Sequence, residues 1–158
     1  MITKPLLKLL NEQIGHELSA SQTYLAVAVY FARMGLDGWA AFFYRQSEEE
    51  RGHALKIVRF LVDVDADFDF PAVPAAKPKF KSALEAVQQC YAWEQTVTKQ
   101  FHKMCDAALA NKDYTTFQFL QWFVEEQVEE EATMQKLIQI AQIGTDLLTS
   151  EPFLPQPE

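Results

Sequence analysis

Long stretches with apolar residues at every third or fourth position alternate along this chain with short breaks that lack the period. In the first stretch Leu6, Leu7, Leu10, Ile14, Leu18, Tyr24, Leu25 and Ala28 recur at the spacing of one helix face. Thr3-Lys4-Pro5 supplies N-cap material and a proline suited to a first turn, so a helix is predicted over about 5–33. Met34-Gly35-Leu36-Asp37-Gly38 ends it. A second helix is predicted over about 39–65, with Phe42, Phe43, Ile57, Phe60, Leu61 and Val64 on one stripe. Residues 66–79 hold Pro71, Pro74 and Pro78 and read as extended chain. A third helix over about 80–110 presents Phe80, Leu84, Val87, Tyr91, Phe101 and Met104 inward. Asn111-Lys112-Asp113 turns into a fourth helix over about 114–143, with Gly144 as its stop and residues 144–158 as a short tail.

Loop lengths turn these elements into a topology. The two short turns force helices one and two, and helices three and four, to lie antiparallel. A helix of about 26 residues is roughly 39 Å long, and the extended 66–79 segment reaches roughly 46–50 Å. That segment is therefore a crossover along the bundle, which makes helices two and three parallel. The fold class is all-α: one four-helix bundle over 1–143 with one long crossover.

Polar residues interrupt the apolar stripes at one level. Glu17, Ser21 and Tyr24 lie among Leu10, Ile14 and Ala28, and Glu50 and His53 lie between Phe43 and Ile57. Glu94 falls between Tyr91 and Val97, and Gln127 and Glu130 between Phe123 and Met134. Glu17 precedes Leu36 by 19 residues, while Glu50 and His53 follow it by 14 and 17; Glu94 and Glu130 flank Lys112 at 18 residues each. All four helices thus deliver a carboxylate near mid-bundle, where burial is costly unless the group is paired or metal-bound. Glu50 and His53, at i and i+3, share a face. Four carboxylates with one imidazole suit iron or manganese better than structural zinc. Two divalent cations would balance the four charges, with Glu50 central enough to bridge them. A lone Glu-x-x-His carries little weight; the constellation points to chemistry. Trp93, Trp122 and Phe123 read as packing, and Tyr24 as either a buried tyrosine with a satisfied hydroxyl or a redox group.

The net charge of -8 and pI near 4.9 disfavour nucleic acid and anionic membranes as partners, although solvated helix faces alone would produce them. No apolar run is long enough to span a membrane, and the first residues lack the apolar core of a signal peptide. Cys90 and Cys105 stand 15 residues apart on one predicted helix, about 22 Å, too far to bridge. Reduced thiols without a signal peptide fit a cytoplasmic location.

Leu10-Asn11-Glu12-Gln13 with Glu17, Glu48-Glu49-Glu50-x-x-His53, and Phe119-Leu120-Gln121-Trp122 followed by Glu126-Gln127-x-Glu129-Glu130 resemble bacterial non-haem ferritins over about residues 4–143. The resemblance implies a ferritin-like subunit of a twenty-four-subunit shell, a homo-oligomer that stores and detoxifies iron. It implies oxidation of Fe(II) by O2 or H2O2 at a di-iron ferroxidase centre. The first iron would be held by Glu17, Glu50 and His53, the second by Glu50, Glu94 and Glu130 with Gln127 adjacent. A third, outer iron would lie at Glu49, Glu126 and Glu129 near Glu130, and Tyr24 would donate an electron. The three outer residues each precede a stripe residue by one and so turn about 100° from it, leaving a merely solvated acidic face as the competing reading.

Alternatives remain. A bacterioferritin would carry a second Glu-x-x-His on helix four and a haem-ligating methionine before the first His; Gln127, Glu130 and Gly52 stand there, so no haem is expected. Other di-iron carboxylate oxidases usually repeat Glu-x-x-His, and a non-enzymatic bundle leaves the mid-bundle carboxylates unexplained. Two positions depart from the family pattern. Trp93 precedes Glu94, and the family's fifth, channel-lining helix has only Thr145–Glu151 before Pro152, Pro155 and Pro157. Asp146, Leu147 and Leu148 are expected to dock at most one turn over the bundle end. Deleting residues 150–158 is accordingly expected to leave assembly and oxidation nearly unchanged.

Overall fold

The structure is a computed structural model and describes residues 2–77, 79–143 and 146–156. Four long helices dominate it: α1 Lys4–Arg33, α2 Asp37–Asp63, α3 Ala83–Ala110 and α4 Tyr114–Gln142. Three of them end in the same way. The chain reverses after α1 through Gly35 at φ 74°, where the Leu36 N–H donates to Phe31 O and the Gly35 N–H to Ala32 O. Asp65 after α2 and Lys112 after α3 repeat this left-handed cap with the same bond pattern, without the help of glycine. Asp65 in this conformation is why α2 stops at Asp63. The start of α2 at Asp37, ahead of Trp39, puts an acid in the first turn, where the helix dipole favours it. The start of α3 is set by Ser82, whose side chain accepts from Glu85 N at 3.0 Å, so Phe80 lies before the helix. Gly144 as the stop of α4, along with Pro78 and Pro157, lies outside the described residues.

Two apolar cores divide the bundle lengthwise. One joins Ala20–Phe31 positions of α1 to the first turns of α2 (Trp39, Phe43), the start of α3 (Ala83–Cys90) and the end of α4 (Met134–Ile140). The other joins the start of α1 (Leu6–Ile14) to the end of α2 (Ile57, Leu61), the end of α3 (Val97–Ala108) and the start of α4 (Leu120, Phe123). Helices two and three are therefore parallel, and the segment between them runs from one end to the other. It passes over α1, where Asp69 N donates to Asn11 Oδ1 at 2.8 Å. Pro71 lies so close to Gly15 that a Cβ there would meet Pro71 Cγ at 2.7 Å. Between the two cores lies a layer left to Glu17, Ser47, Glu50, His53, Glu94, Gln127 and Glu130.

The stripe on α3 differs from the expected one. Ala83, Ala86 and Cys90 take the innermost positions, while Leu84 and Tyr91 flank them half-buried. Small side chains occupy the places of closest helix approach and the bulkier ones fill the margins. Leu25 is likewise exposed rather than inward. Cys90 and Cys105 are buried free thiols. Among the described residues no helix is long and apolar enough to cross a membrane.

The tail is better anchored than its length suggests. One turn of α5 (Leu147–Ser150) leads into a 3-10 turn at Glu151–Phe153. The Trp39 indole N–H donates to Leu147 O at 3.1 Å and Ser150 Oγ at 3.2 Å, and Gly38 N donates to Glu151 Oε1 at 2.8 Å. Leu148 is exposed, contrary to expectation; Leu154 is the leucine that enters the core. A tail that caps the first turn of α2 and places Leu154 in the core contributes to the subunit's stability, beyond the single docked turn expected of Leu147 and Leu148.

Candidate metal centre

The polar layer forms because each helix crosses mid-bundle with one acid facing inward. Ser21 and Ser47 hold α1 and α2 close there: each hydroxyl donates to the other residue's carbonyl oxygen at 2.8 Å. Gln13, one turn before Glu17, donates to Glu17 Oε1 at 2.7 Å. His53 Nδ1 lies 3.6 Å from Glu17 Oε2 and 3.3 Å from Glu50 Oε2, and its Nε2 lies 3.8 Å from Glu126 Oε1. Across the layer the Tyr24 hydroxyl donates to Glu94 Oε1, and Gln127 Nε2 donates to Glu94 Oε2 at 3.1 Å. Glu17, Glu50, Glu94 and Glu130 are all at most 4% exposed.

Ligand atoms of Glu17, Glu50 and His53 lie within 4.8 Å of one another, and so do those of Glu50, Glu94 and Glu130. Glu50 belongs to both groups. Its Oε1 and Glu17 Oε2 are buried without a hydrogen-bond partner. Such atoms are costly in a protein interior unless a cation takes them.

The electrostatics carry the same tension. Burial, followed by the charge of Glu94, pushes the carboxyls of Glu50 and Glu130 well above the usual range. Burial raises Glu94 to about 7, against the lowering effect of its bonds from Tyr24 and Gln127. Burial also lifts the Tyr24 hydroxyl, with Glu94 adding to the shift. At His53 burial favours the neutral ring, but the nearby carboxylates of Glu126, Glu17 and Glu50 together outweigh it and hold the imidazolium. Protons here stand in for missing positive charge.

The outer acids are less tightly gathered than the inner ones. Among the described residues Glu126 offers ligand atoms within 4.8 Å of His53 and Glu130. Glu49 and Glu129 are exposed, and all three line a cavity of about 280 Å³ between α2, α4 and the tail. Gln46, Pro155 and Gln156 share its walls, which sequence reasoning missed. Gln13 was missed as well, although its place four residues before Glu17 was a signal that could have found it; nothing in the sequence tied Gln156 to residues far away on α2. Trp93 packs against both cores with its ring edge-on to His16, 6.4 Å between centroids.

Fold and layer together define a four-helix bundle built around buried carboxylates and one imidazole. A Ferritin-like domain family model matches residues 7–143. A bacterial non-heme ferritin of Staphylococcus haemolyticus is 41% identical over 150 residues, covering 94% of this chain and 90% of that one. One from Staphylococcus aureus strain MRSA252 is 42% identical over 147 residues, covering 92% and 89%. Among solved structures, an open pore ferritin from the hyperthermophilic archaeon Archaeoglobus fulgidus superposes with a TM-score of 0.95 at 33% identity, over 100% of both chains. This chain belongs to the ferritin family.

Proposed function

We propose that the chain is an iron-storage subunit that oxidises Fe(II) at its mid-bundle carboxylates and stores the ferric product inside a cage. One observation carries the reading: Glu17 Oε2 and Glu50 Oε1 are buried without donors, in two overlapping groups of ligand atoms. Iron is the substrate. The first Fe(II) is held by Glu17, Glu50 and His53, the second by Glu50, Glu94 and Glu130, with Glu50 between them. The oxygen-rich set with one imidazole favours iron or manganese. Two divalent ions balance four carboxylates, and binding expels the protons held by His53 and the raised carboxyls.

Gln13 and Gln127 hold Glu17 and Glu94 in orientation. Each ferrous ion passes one electron to O2 or H2O2. Tyr24, bonded to Glu94, stands ready to supply a further electron. Glu49, Glu126 and Glu129 form an outer cation site beside the inner one. The likeness to non-heme ferritins and to an open pore ferritin supports a homo-oligomer, a twenty-four-subunit shell acting in the cytoplasm.

The test is His53→Ala, followed by stopped-flow oxidation and Fe(II) titration. Wild type is expected to bind two tight ferrous ions per subunit and oxidise them rapidly, and the variant to lose the rapid phase with its helices intact. Wild-type speed in the variant would overturn the assignment.

A further inference from the structure

Residues 129–131 are consecutive glutamates, and helical rotation sends them three ways. Glu129 lines the cavity between α2 and α4, Glu130 enters the buried layer, and Glu131 turns to α3. There it meets Thr98, whose hydroxyl donates to Glu131 Oε1 at 2.6 Å. Gln127, one turn before Glu131 on α4, reaches the same hydroxyl oxygen with its Nε2 at 3.3 Å. That nitrogen also lies 3.2 Å from Glu94 O and donates to Glu94 Oε2 at 3.1 Å. Thr98 stands one turn after Glu94 on α3, so two residues from each helix close a polar cluster between them. Glu94 and Gln127 are buried; Thr98 and Glu131 are half-buried.

Glu131 decides the direction of donation in this cluster. The Thr98 hydroxyl has one hydrogen and could otherwise give it to Glu94 O at 3.0 Å. The shorter, charge-assisted bond to the Glu131 carboxylate draws it towards α4. The lone pairs of the Thr98 oxygen then face an incoming N–H, and a hydroxyl that donates to a carboxylate is the better acceptor for it. Gln127 therefore presents its nitrogen to α3. Turned the other way, its amide oxygen would oppose both Glu94 Oε2 and the Thr98 oxygen. With Tyr24 on Glu94 Oε1 and Gln127 on Oε2, the carboxylate is held from both sides.

We propose that Thr98 and Glu131 are positioning residues for Glu94, locking the Gln127 amide so that this carboxylate is preset for the second ion. This rests on the reading of Glu50, Glu94 and Glu130 as the second iron site. Neither residue needs to touch the ion; both act through Gln127. Glu17, on the side of the first ion, takes its amide donor Gln13 from its own helix and has no part in the cluster. Loss of the support is therefore felt by one ion of the two.

The experiment titrates the full-length protein with Co(II), read by visible absorption, beside stopped-flow oxidation of Fe(II). Wild type is expected to bind two Co(II) per subunit. Thr98→Val, which keeps the shape of threonine without its hydroxyl, weakens the second ion about tenfold or more and leaves the first unchanged. It also raises the Fe(II) concentration needed for half-maximal oxidation. Glu131→Ala acts in the same direction, and Thr98→Ser, which retains the hydroxyl, binds as wild type does. Unchanged second-ion affinity in both Thr98→Val and Glu131→Ala, while Glu94→Gln loses that ion, would overturn the proposal alone. Equal weakening of both ions, or Thr98→Ser failing as Thr98→Val does, would show a packing role and overturn it too. Two tight ions in Glu94→Gln would remove the second-site reading and the positioning role with it.

Discussion

Glu50 lies where the two ligand groups overlap, and without a cation its charge is opposed by burial and by Glu94. Replacing it with glutamine removes that conflict at almost constant shape. Glu50→Gln is therefore expected to melt at a higher temperature than wild type at pH 8 in chelator, while losing rapid iron oxidation. Scanning calorimetry beside stopped-flow kinetics checks both halves; a lower melting temperature would contradict the electrostatic account. Glu94 sets the pH dependence. Its carboxyl rises from 4.5 to about 7 on folding, so its contribution is fully present below about pH 4.5 and is lost as pH rises through 7. The loss amounts to about 3 kcal/mol by pH 8. Metal-free protein should thus lose stability between pH 5 and 8, and saturating Mn(II) should reverse the slope. A level metal-free profile would refute it. These charges were readable in the sequence as residues out of place in an apolar stripe. Gln127 stood in the same stripe as Glu130, but its bond to Glu94, the bond from Gln13 to Glu17 and the orphaned oxygens were not legible, because spacing does not say where an amide or a carboxylate oxygen points.

At the scale of elements, the crossover and α1 are fitted to each other through Gly15 and Pro71. A methyl at residue 15 would meet a rigid ring at 2.7 Å, and neither the proline nor the helix backbone yields cheaply. Gly15→Ala is expected to cost about 1–3 kcal/mol and to loosen residues 66–77. Hydrogen exchange of that segment reports the loosening, and wild-type protection would show that the contact is slack. Helix ends were the least legible elements. Ser82 with Glu85 three positions later is a capping signature that marks the start of α3, yet the aromatic Phe80 draws the boundary outward. Asp65 adopts the left-handed cap that glycine usually signals, so composition alone gives no warning that α2 stops at Asp63, whereas Asn111-Lys112-Asp113 marks the end of α3 at Ala110.

For the whole molecule the tail and the assembly are the open quantities. Deleting residues 150–158 removes Leu154 from the core, the Glu151 carboxylate from Gly38 and one acceptor from the Trp39 indole. Together these are expected to cost about 3–5 kcal/mol, seen as a lower melting temperature. An unchanged melting temperature would mean that the tail is not docked in solution. Light scattering of intact protein should give a particle about twenty-four times the 18.1 kDa chain, if the shell proposed here forms. Dimers or monomers at micromolar concentration would remove the cage from the proposal.

Periodicity by itself determined the four long helices, their antiparallel pairs and the lengthwise crossover, because apolar spacing and chain reach are local properties that survive any packing detail. It also determined that Glu17, Glu50, His53, Glu94 and Glu130 meet at one height, since rise per residue converts position into level. Only the tertiary structure decided which face of α3 turns inward, how Glu126 sits against His53, and that residues 146–156 fold back onto Gly38 and Trp39. Each of these depends on side-chain volumes and polar atoms brought together from distant parts of the chain, and no one-dimensional pattern encodes such a meeting.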